Sequence, residues 1–237
     1  MKNKKKFNNY FGNIINKYNL KLNQDKPLVI FLDGRNVTKD NYYSLHDETK
    51  NSFNDIMEKT IKYFSKKFNC IAILGVDEVS FIFTNKNKLI AQIGDKKTLK
   101  SQDIVSIFSQ YFYQYFNSQS SLKTVYWHCK CQTIPKGKIK SYITYRSNVI
   151  PNLFTTYYLK RNFVKDAGNI SLSKKIELCG QFEQYKEIKE YENGILILNG
   201  DRIDIDQYLN GNIQIINKER KDNNSSYLDL TKIDELF

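Results

Sequence analysis

Long apolar runs are absent from this sequence, and proline, histidine and cysteine are scarce. No stretch approaches the roughly 20 consecutive apolar residues that a membrane-spanning helix needs. The basic N-terminus is followed by polar sequence and not by the apolar segment of a signal peptide. Among 237 residues there are three prolines, two histidines and four cysteines. These absences argue against an integral membrane protein and against a disulfide-rich secreted domain. We expect a cytoplasmic protein, with a mitochondrial location as the open alternative.

The four cysteines do not form a metal-binding pattern. Cys70, Cys129, Cys131 and Cys179 lie in apolar, strand-like segments or at the ends of predicted elements. Only one residue separates Cys129 from Cys131, which is too short for the common zinc pairs, and two histidines are too few to complete a set. We therefore expect four reduced thiols.

Positive charge and aromatic residues are abundant. The chain has 37 Lys and Arg against 25 Asp and Glu, a formal net charge of +12, together with 17 Tyr and 15 Phe. An excess of this size favours a polyanionic partner, either a nucleic acid or an anionic membrane surface. Lysines interleaved with aromatics could hold phosphates while rings stack on unpaired bases. The alternative is a solvated lysine-rich surface over an aromatic core.

Apolar periodicity predicts one mixed α+β domain. Strands are predicted at 27–32, 70–74, 79–83 and 126–134, a hairpin at 195–205, and helices at 45–68, 101–116 and 142–161, the last interrupted at Pro151. The expected apolar helix faces are Phe53, Ile56, Met57, Ile61 and Phe64 in one helix, and Ile104, Ile107, Phe108, Tyr111, Phe112 and Tyr115 in the next. We assign residues 1–198 to this domain and 199–237 to a C-terminal extension of unknown role.

Two aspartates each follow an apolar strand candidate. Asp33 ends the run before Gly34, and Asp77 lies in the short polar interruption between two further strands. If the strands are neighbours, both carboxylates converge, and their mutual repulsion would raise one pKa. Mg²⁺ removes that repulsion and needs only one or two carboxylates together with substrate phosphates. Gly34 would let the backbone approach a metal closely. An ordinary Asp-Gly turn is the alternative.

Two motifs carry a resemblance to a known family. Residues 32–39, LDGRNVTK, resemble the DGR-x-F-H-[KR] motif of the tRNA(His) guanylyltransferases and related 3′–5′ polymerases. Residues 77–83, DEVSFIF, resemble their S-D-E-x-S-F-[VL]-F motif in the same order and spacing. Weaker matches occur at 104–108, 142–146, 152–156, Gly180 and 193–196. The resemblance spans about residues 7–198.

The resemblance implies a polymerase-palm-like antiparallel sheet flanked by helices, and addition of nucleotides to tRNA 5′ ends. ATP or GTP would activate a 5′-monophosphate, and the 3′-hydroxyl of an incoming NTP would then attack it, with two Mg²⁺ ions serving both steps. Family members also form tetramers, so we expect a homo-oligomer. The implied catalytic and metal-binding residues are Asp33, Gly34 (through its carbonyl) and Asp77. The implied nucleotide contacts are Gly34, Arg35, Asn36, Val37, Thr38, Lys39, Val76, Asp77, Glu78, Lys96, Lys97 and Lys100, and the implied RNA contacts are Arg146, Asn152, Lys160 and Arg161.

Departures from the family pattern favour a divergent member. Thr38 replaces a histidine, and Val76 replaces the serine before Asp77. The segment containing the family's tRNA(His)-recognising histidine is shorter here, and neither His46 nor His128 substitutes for it by position; each is expected to be a surface or strand histidine. The leading hypothesis is therefore template-dependent 3′–5′ nucleotidyl transfer to tRNA or tRNA-like 5′ ends, with end repair as its purpose.

Three alternatives stay open. One is addition of the extra 5′ guanosine to tRNA(His). A second is a palm-like RNA-binding protein without catalysis, which the changes at Thr38 and Val76 motivate. The third is a palm-domain nucleotide cyclase, which would convert free NTP without RNA.

Overall fold

Six strands and the helices around them form the part of the molecule that the computed structural model describes, residues 22–23, 25–35, 37, 53–93, 100–119 and 124–211. The strands are β1 Leu28–Gly34, β2 Ile71–Gly75, β3 Glu78–Phe83, β4 Trp127–Thr133, β5 Ile195–Leu198 and β6 Asp201–Ile203. The helices are α1 Phe53–Phe68, α2 Asn87–Ile93, α3 Ser101–Gln119, α4 Ile139–Arg161, α5 Leu172–Cys179, α6 Tyr185–Ile188 and α7 Ile205–Asn210. Within these ranges, no helix combines the length and the apolarity needed to cross a bilayer.

The strands form one sheet in the order β4-β1-β3-β2-β5-β6, and every neighbouring pair is antiparallel. β1 lies between β3 and β4 and is buried on both faces: Leu28, Ile30 and Leu32 point to one core, and Val29 points to the other. This explains its unbroken apolar run, because a strand covered on both sides does not alternate with polar residues. The expected α+β architecture is confirmed.

The first face of the sheet is covered by α1 and α3 through an aromatic core. Phe64 of α1 packs within 5.9 Å, between ring centroids, of Phe81, Phe108 and Phe112. All three contacts are tilted or edge-to-face, the geometries that aromatic quadrupoles favour. The predicted apolar face of α1 is confirmed, since its five members are buried.

The predicted apolar face of α3 is confirmed for only three of its six members: Ile104, Phe108 and Phe112 are buried, Ile107 and Tyr115 are half-buried, Tyr111 was wrong, and the buried Phe116 was missed. Its buried residues are Ile104, Phe108, Phe112 and Phe116, spaced four apart along a single stripe. Tyr111 lies outside this stripe and is 42% exposed, with the ammonium of Lys67 4.5 Å from its ring centroid. The hydroxyl end of a tyrosine is readily solvated, so an apolar count overestimated its burial.

The second face is covered mainly by α4, which is one continuous helix. The predicted interruption at Pro151 was wrong, although proline removes a helical hydrogen bond at a cost of about 3 kcal/mol. Buried residues precede it at Ile143 and Ile150 and follow it at Phe154 and Tyr158. Packing on both sides therefore holds the helix together through the proline.

The end of the described chain belongs to the same sheet. The predicted hairpin forms as β5 and β6, and β5 pairs with β2. Ile203 and Tyr208, of β6 and α7, are buried in the second core. The boundary that we predicted between residues 198 and 199 therefore falls inside a hairpin of the main sheet.

Candidate active site

Asp33 and Asp77 are brought together by the pairing of β1 with β3. Asp33 is the penultimate residue of β1 and is paired with Glu78, the residue that follows Asp77. The backbone N–H of Gly34 donates a hydrogen bond to the carbonyl oxygen of Asp77 at 2.8 Å. The end of one strand is thus fixed to the turn of the neighbouring hairpin, and both aspartates lie at the same edge of the sheet.

The turn that carries Asp77 has only two residues between paired positions. Gly75 pairs with Glu78, so Val76 and Asp77 form the connection between β2 and β3. Val76 has φ +44°, a region that β-branched residues rarely occupy, and its side chain is 3% exposed. Such a conformation costs on the order of 1–3 kcal/mol and persists only where the surroundings enforce it. Burial of Val76 in the first core supplies that constraint, and it thereby fixes the backbone position of the next residue, Asp77.

Gly34 is required by close packing around the same point. A Cβ atom at this position would lie 2.6 Å from Cγ2 of Val37 and 3.3 Å from the carbonyl oxygen of Asp77. Trp127 of β4 would also approach it, with Cζ3 at 3.3 Å. Any larger residue would push β1 away from the Asp77 turn.

The two carboxylates repel each other in a poorly solvated place. Burial, then the charges of Asp33 and Glu78, raise the pKa of Asp77 to about 7. Burial also raises the pKa of Asp33, and the nearby basic side chains of His128, Lys130, Arg146 and Arg35 oppose that rise. A cation placed between these oxygens would relieve both effects.

The oxygens present fit Mg²⁺ bound partly through its substrate. In the described part of the chain, no group of three or more His, Cys, Asp or Glu side chains is arranged to hold a metal. Two carboxylates suffice for Mg²⁺, however, because this ion keeps several waters and takes further ligands from phosphates. Asp33 and Asp77 are repelling, partly buried carboxylates of this kind, with the Gly34 backbone beside them.

Glu78 is engaged by Arg146 of α4. The two form an ion pair, with side chains 13% and 8% exposed, and the guanidinium also lies 5.3 Å from the ring centroid of Phe31. Burial raises the pKa of Glu78 while Arg146 opposes the rise. Arg146, which we predicted to contact RNA, is therefore a buried partner of the residue next to Asp77.

Several residues near the carboxylates were missed by sequence reasoning. His128 of β4 pairs directly with Asp33, and Lys130 pairs with Phe31; both side chains are exposed. His128 was expected only as a surface or strand histidine. Tyr157 of α4 also belongs here, because burial and the charges of Asp77, Glu78 and Asp33 raise its pKa. Their proximity depends on strand order and helix placement, which no local motif reveals.

The remaining predicted contacts lie in three places: after β1, before α3 and on α4. Val37 is buried against Gly34, Arg35 is exposed after β1, and Lys100 immediately precedes α3. On α4, Asn152 and Lys160 are exposed and Arg161 is half-buried. Asn36, Thr38, Lys39, His46, Lys96 and Lys97 lie outside the described residues.

Comparison with known proteins identifies relatives by structure alone. No protein-family model and no curated protein matches the sequence. A bacterial tRNA(His) guanylyltransferase (Thg1)-like protein in complex with GTP matches with a TM-score of 0.57 and 14% identity, over 81% of this chain and 84% of that one. The bacterial Thg1-like protein in complex with ATP matches with a TM-score of 0.59 and 16% identity, over 81% and 88%.

A third match is the tRNA(His) guanylyltransferase from Saccharomyces cerevisiae, with a TM-score of 0.51 and 18% identity, over 78% of this chain and 90% of that one. Identities this low establish the architecture and not the activity. The chain has the fold of the tRNA(His) guanylyltransferases and their Thg1-like relatives.

Proposed function

We propose that this protein is a template-dependent 3′–5′ nucleotidyltransferase that extends the 5′ ends of tRNA or tRNA-like RNA, with end repair as its purpose. The observation that carries the proposal is the convergence of Asp33 and Asp77 at one edge of the sheet, joined by the hydrogen bond from Gly34. Solved structures with this fold contain ATP or GTP. The net charge of +12 suits a nucleic-acid partner.

Two Mg²⁺ ions would be held by the Asp33 and Asp77 carboxylates and the Gly34 carbonyl. When bound, they would supply charge stabilisation to the attacking and leaving oxygens of an in-line phosphoryl displacement. In the first reaction an oxygen of the RNA 5′-phosphate would attack the α-phosphate of ATP or GTP, forming a phosphoanhydride and releasing pyrophosphate. In the second, the 3′-hydroxyl of the incoming NTP would lose its proton and attack the RNA 5′-phosphate, forming a phosphodiester and releasing AMP or GMP.

The protein's own residues contribute positioning and positive charge. Arg35, His128 and Lys130 lie near Asp33, where they would attract the triphosphate or the RNA 5′-phosphate. Arg146 neutralises Glu78 and keeps that carboxylate from competing with the two aspartates. Phosphoryl transfer depends chiefly on such positioning and electrostatic stabilisation.

The test is labelling of a panel of 5′-truncated tRNAs with radioactive NTPs in the presence of Mg²⁺. We expect the wild-type protein to label several truncated tRNAs, and Asp33→Asn and Asp77→Asn each to reduce labelling by about 10³, since each removes a ligand of the Mg²⁺ ions that would stabilise charge at the reacting phosphate. Asp201→Asn is the matched control, because Asp201 is an exposed aspartate of β6.

Three results would contradict the proposal in different ways. Full activity in both active-site variants would remove these aspartates from the reaction. Activity confined to tRNA(His) would replace end repair with guanosine addition. RNA binding without labelling under Mg²⁺ or Mn²⁺ would identify a non-catalytic RNA-binding protein.

A further inference from the structure

Lys175 of α5 is a buried lysine whose hydrogen-bond partners among the described residues are neutral groups. The residue is 1% exposed, and its Nζ donates hydrogen bonds to Oδ1 of Asn152 at 2.7 Å and to Oγ1 of Thr156 at 2.8 Å. Both acceptors belong to α4. Among the described residues, no carboxylate lies within ion-pair distance of this ammonium.

Within the described ranges, the charge of Lys175 therefore has no carboxylate partner. Burial, and then the nearby Lys160, lower its pKa, which shows that the surroundings disfavour the ammonium. Amide and hydroxyl oxygens satisfy its hydrogens but do not cancel its field, and that field is strong where water is excluded. An anion bound at the adjacent surface would lower the energy of the whole arrangement.

Lys175 also dictates which end of the Asn152 amide faces solvent. An ammonium can only donate hydrogen bonds, so the amide oxygen of Asn152 must point toward it. The amide nitrogen, with its two N–H donors, is then directed away from Lys175. Asn152 is exposed, so it presents these donors to solvent.

Lys160 extends this donor surface, whereas Thr156 lies between Asn152 and Lys160 and already donates its hydroxyl hydrogen to the carbonyl oxygen of Asn152 at 2.6 Å. Asn152, Thr156 and Lys160 are spaced four apart on α4 and share one face of the helix. Lys160 is exposed and carries a second positive charge toward the same region. We propose that this stripe, defined as Asn152, Thr156 and Lys160 with Lys175 behind it, is a phosphate-binding subsite for the RNA backbone.

The proposal rests on the function proposed above and deepens it, because it gives the RNA substrate a contact outside the carboxylate site. Lys175 acts in it as a positioning residue. It orients Asn152 and supplies positive potential, and it does not touch the RNA itself.

The first test compares Lys175→Met with Lys174→Met. Lys174 is the sequence neighbour, 53% exposed and ion-paired with Glu177, so the two variants lose the same charge from adjacent positions. Binding of a 5′-truncated tRNA is measured by fluorescence anisotropy over a series of salt concentrations. We expect Lys175→Met to weaken binding about tenfold and to reduce the salt slope of log K by up to about 0.9. Lys174→Met should change affinity by no more than about twofold.

Thermal unfolding of the same variants separates positioning from a structural role. If Lys175 only joins α5 to α4, Lys175→Met will shift the melting temperature while its RNA affinity equals that of Lys174→Met. That result overturns the proposal.

Asn152→Asp provides a second test that keeps Lys175 in place. The new carboxylate would pair with the ammonium, cancel its field and replace the outward donors by acceptors. We expect RNA affinity to fall about tenfold with no loss of thermal stability, because the buried charge gains a partner. Unchanged RNA affinity in a folded Asn152→Asp protein overturns the subsite even if Lys175→Met fails to fold.

Two further measurements show whether the bound phosphate belongs to RNA or to ATP, and separate this subsite from the catalytic proposal. ATP affinity should be equal in the wild-type protein and in Lys175→Met. A fall in ATP affinity with unchanged RNA affinity would assign the stripe to nucleotide and overturn the RNA subsite. Lys175-dependent RNA binding in a protein that labels no RNA would preserve the subsite and remove the catalytic function. Normal labelling by a protein whose RNA binding does not depend on Lys175 would preserve the catalytic function and remove the subsite.

Discussion

At the candidate site, the position of Asp77 is set by one backbone hydrogen bond and by the packing of the neighbouring Val76 side chain. Val76 adopts φ +44° inside the first core, and the N–H of Gly34 bonds the carbonyl of Asp77 at 2.8 Å. A typical hydrogen bond contributes about 1 kcal/mol, and burial of a valine side chain about 1.5–3 kcal/mol. Together these offset the strain at Val76, so the position of Asp77 depends on local packing on both strands.

Replacing Gly34 by alanine should disturb this packing directly. Because the new Cβ would lie 2.6 Å from Val37 and 3.3 Å from the Asp77 carbonyl, we expect a loss of about 1–3 kcal/mol in the free energy of unfolding. RNA labelling should fall about 100-fold, since displacements near 1 Å have effects of this size. Urea denaturation and the labelling assay measure the two effects.

Gly137→Ala is the control for this prediction. A Cβ at Gly137 meets no atom within 4 Å, so its stability should stay within about 0.5 kcal/mol of wild type. If Gly34→Ala behaved like Gly137→Ala in both assays, close packing at Gly34 would be irrelevant to the site.

The sequence allowed some of these residues to be predicted and concealed others. Asp33 and Asp77 follow apolar runs, and that local pattern is visible in one dimension. His128 lies beside Asp33 only because β4 pairs with β1, and no local sequence segment predicts the strand order of the sheet. Lys175 looks like any other lysine in a charged helix, since its burial arises from packing between α5 and α4. Tertiary pairing decides such positions.

At the level of elements, α4 is fitted against the hairpin that carries Asp77. A Cβ at Gly75 would lie 2.5 Å from Cγ1 of Ile150. A Cβ at Gly194 would lie 2.8 Å from Cδ1 of Ile150 and 2.7 Å from the carbonyl oxygen of Leu74. Two glycines therefore let one isoleucine of α4 approach the sheet, and this contact holds the helix in register despite Pro151.

This packing predicts a specific coupling between Gly75 and Ile150. Gly75→Ala should destabilise the protein by about 1–3 kcal/mol, and Ile150→Ala by about 2–5 kcal/mol. The double variant should lose less than the sum of the two, because alanine at 150 leaves space for the new Cβ. A double-mutant cycle from chemical denaturation measures the difference.

The destabilisation by Gly194→Ala should not be reduced by Ile150→Ala. Its Cβ would clash with the backbone of Leu74, and Gly194 has φ +80°, a conformation unfavourable for alanine whatever the space. Additive losses in the Gly75 cycle, or rescue in the Gly194 cycle, would show that Ile150 does not control the seating of α4.

Helix α4 also shows why element prediction from sequence was incomplete. Proline normally ends or bends a helix, so an interruption at Pro151 was the expected outcome. The anchors on either side are buried by tertiary contacts, Ile150 against Gly75 of β2 and Phe154 against Tyr185 of α6. The strands and α1 were predictable, because their apolar periodicity agrees with their final burial.

At the scale of the molecule, a strongly basic protein carries its acidic centre at one edge of its sheet. Phosphate attraction by the 37 basic residues should dominate RNA affinity, whereas Asp33 and Asp77 would act on the reacting phosphates. Binding and chemistry should then be separable. If RNA binds as proposed, the acidic pair should oppose its binding in the absence of metal, because like charges repel.

Asp33→Asn and Asp77→Asn should therefore abolish labelling while retaining RNA affinity. We expect their dissociation constants in EDTA to equal that of wild type or to be up to about threefold lower, since each variant removes one negative charge from a partly screened site. Anisotropy with a 5′-truncated tRNA in EDTA and in Mg²⁺ measures this, alongside the labelling assay on the same preparations. Asp201→Asn removes a charge from the exposed β6 and should leave labelling intact. A large loss of RNA affinity in the Asp33 and Asp77 variants would mean that these carboxylates help to hold the RNA, and lost labelling could then no longer be attributed to chemistry.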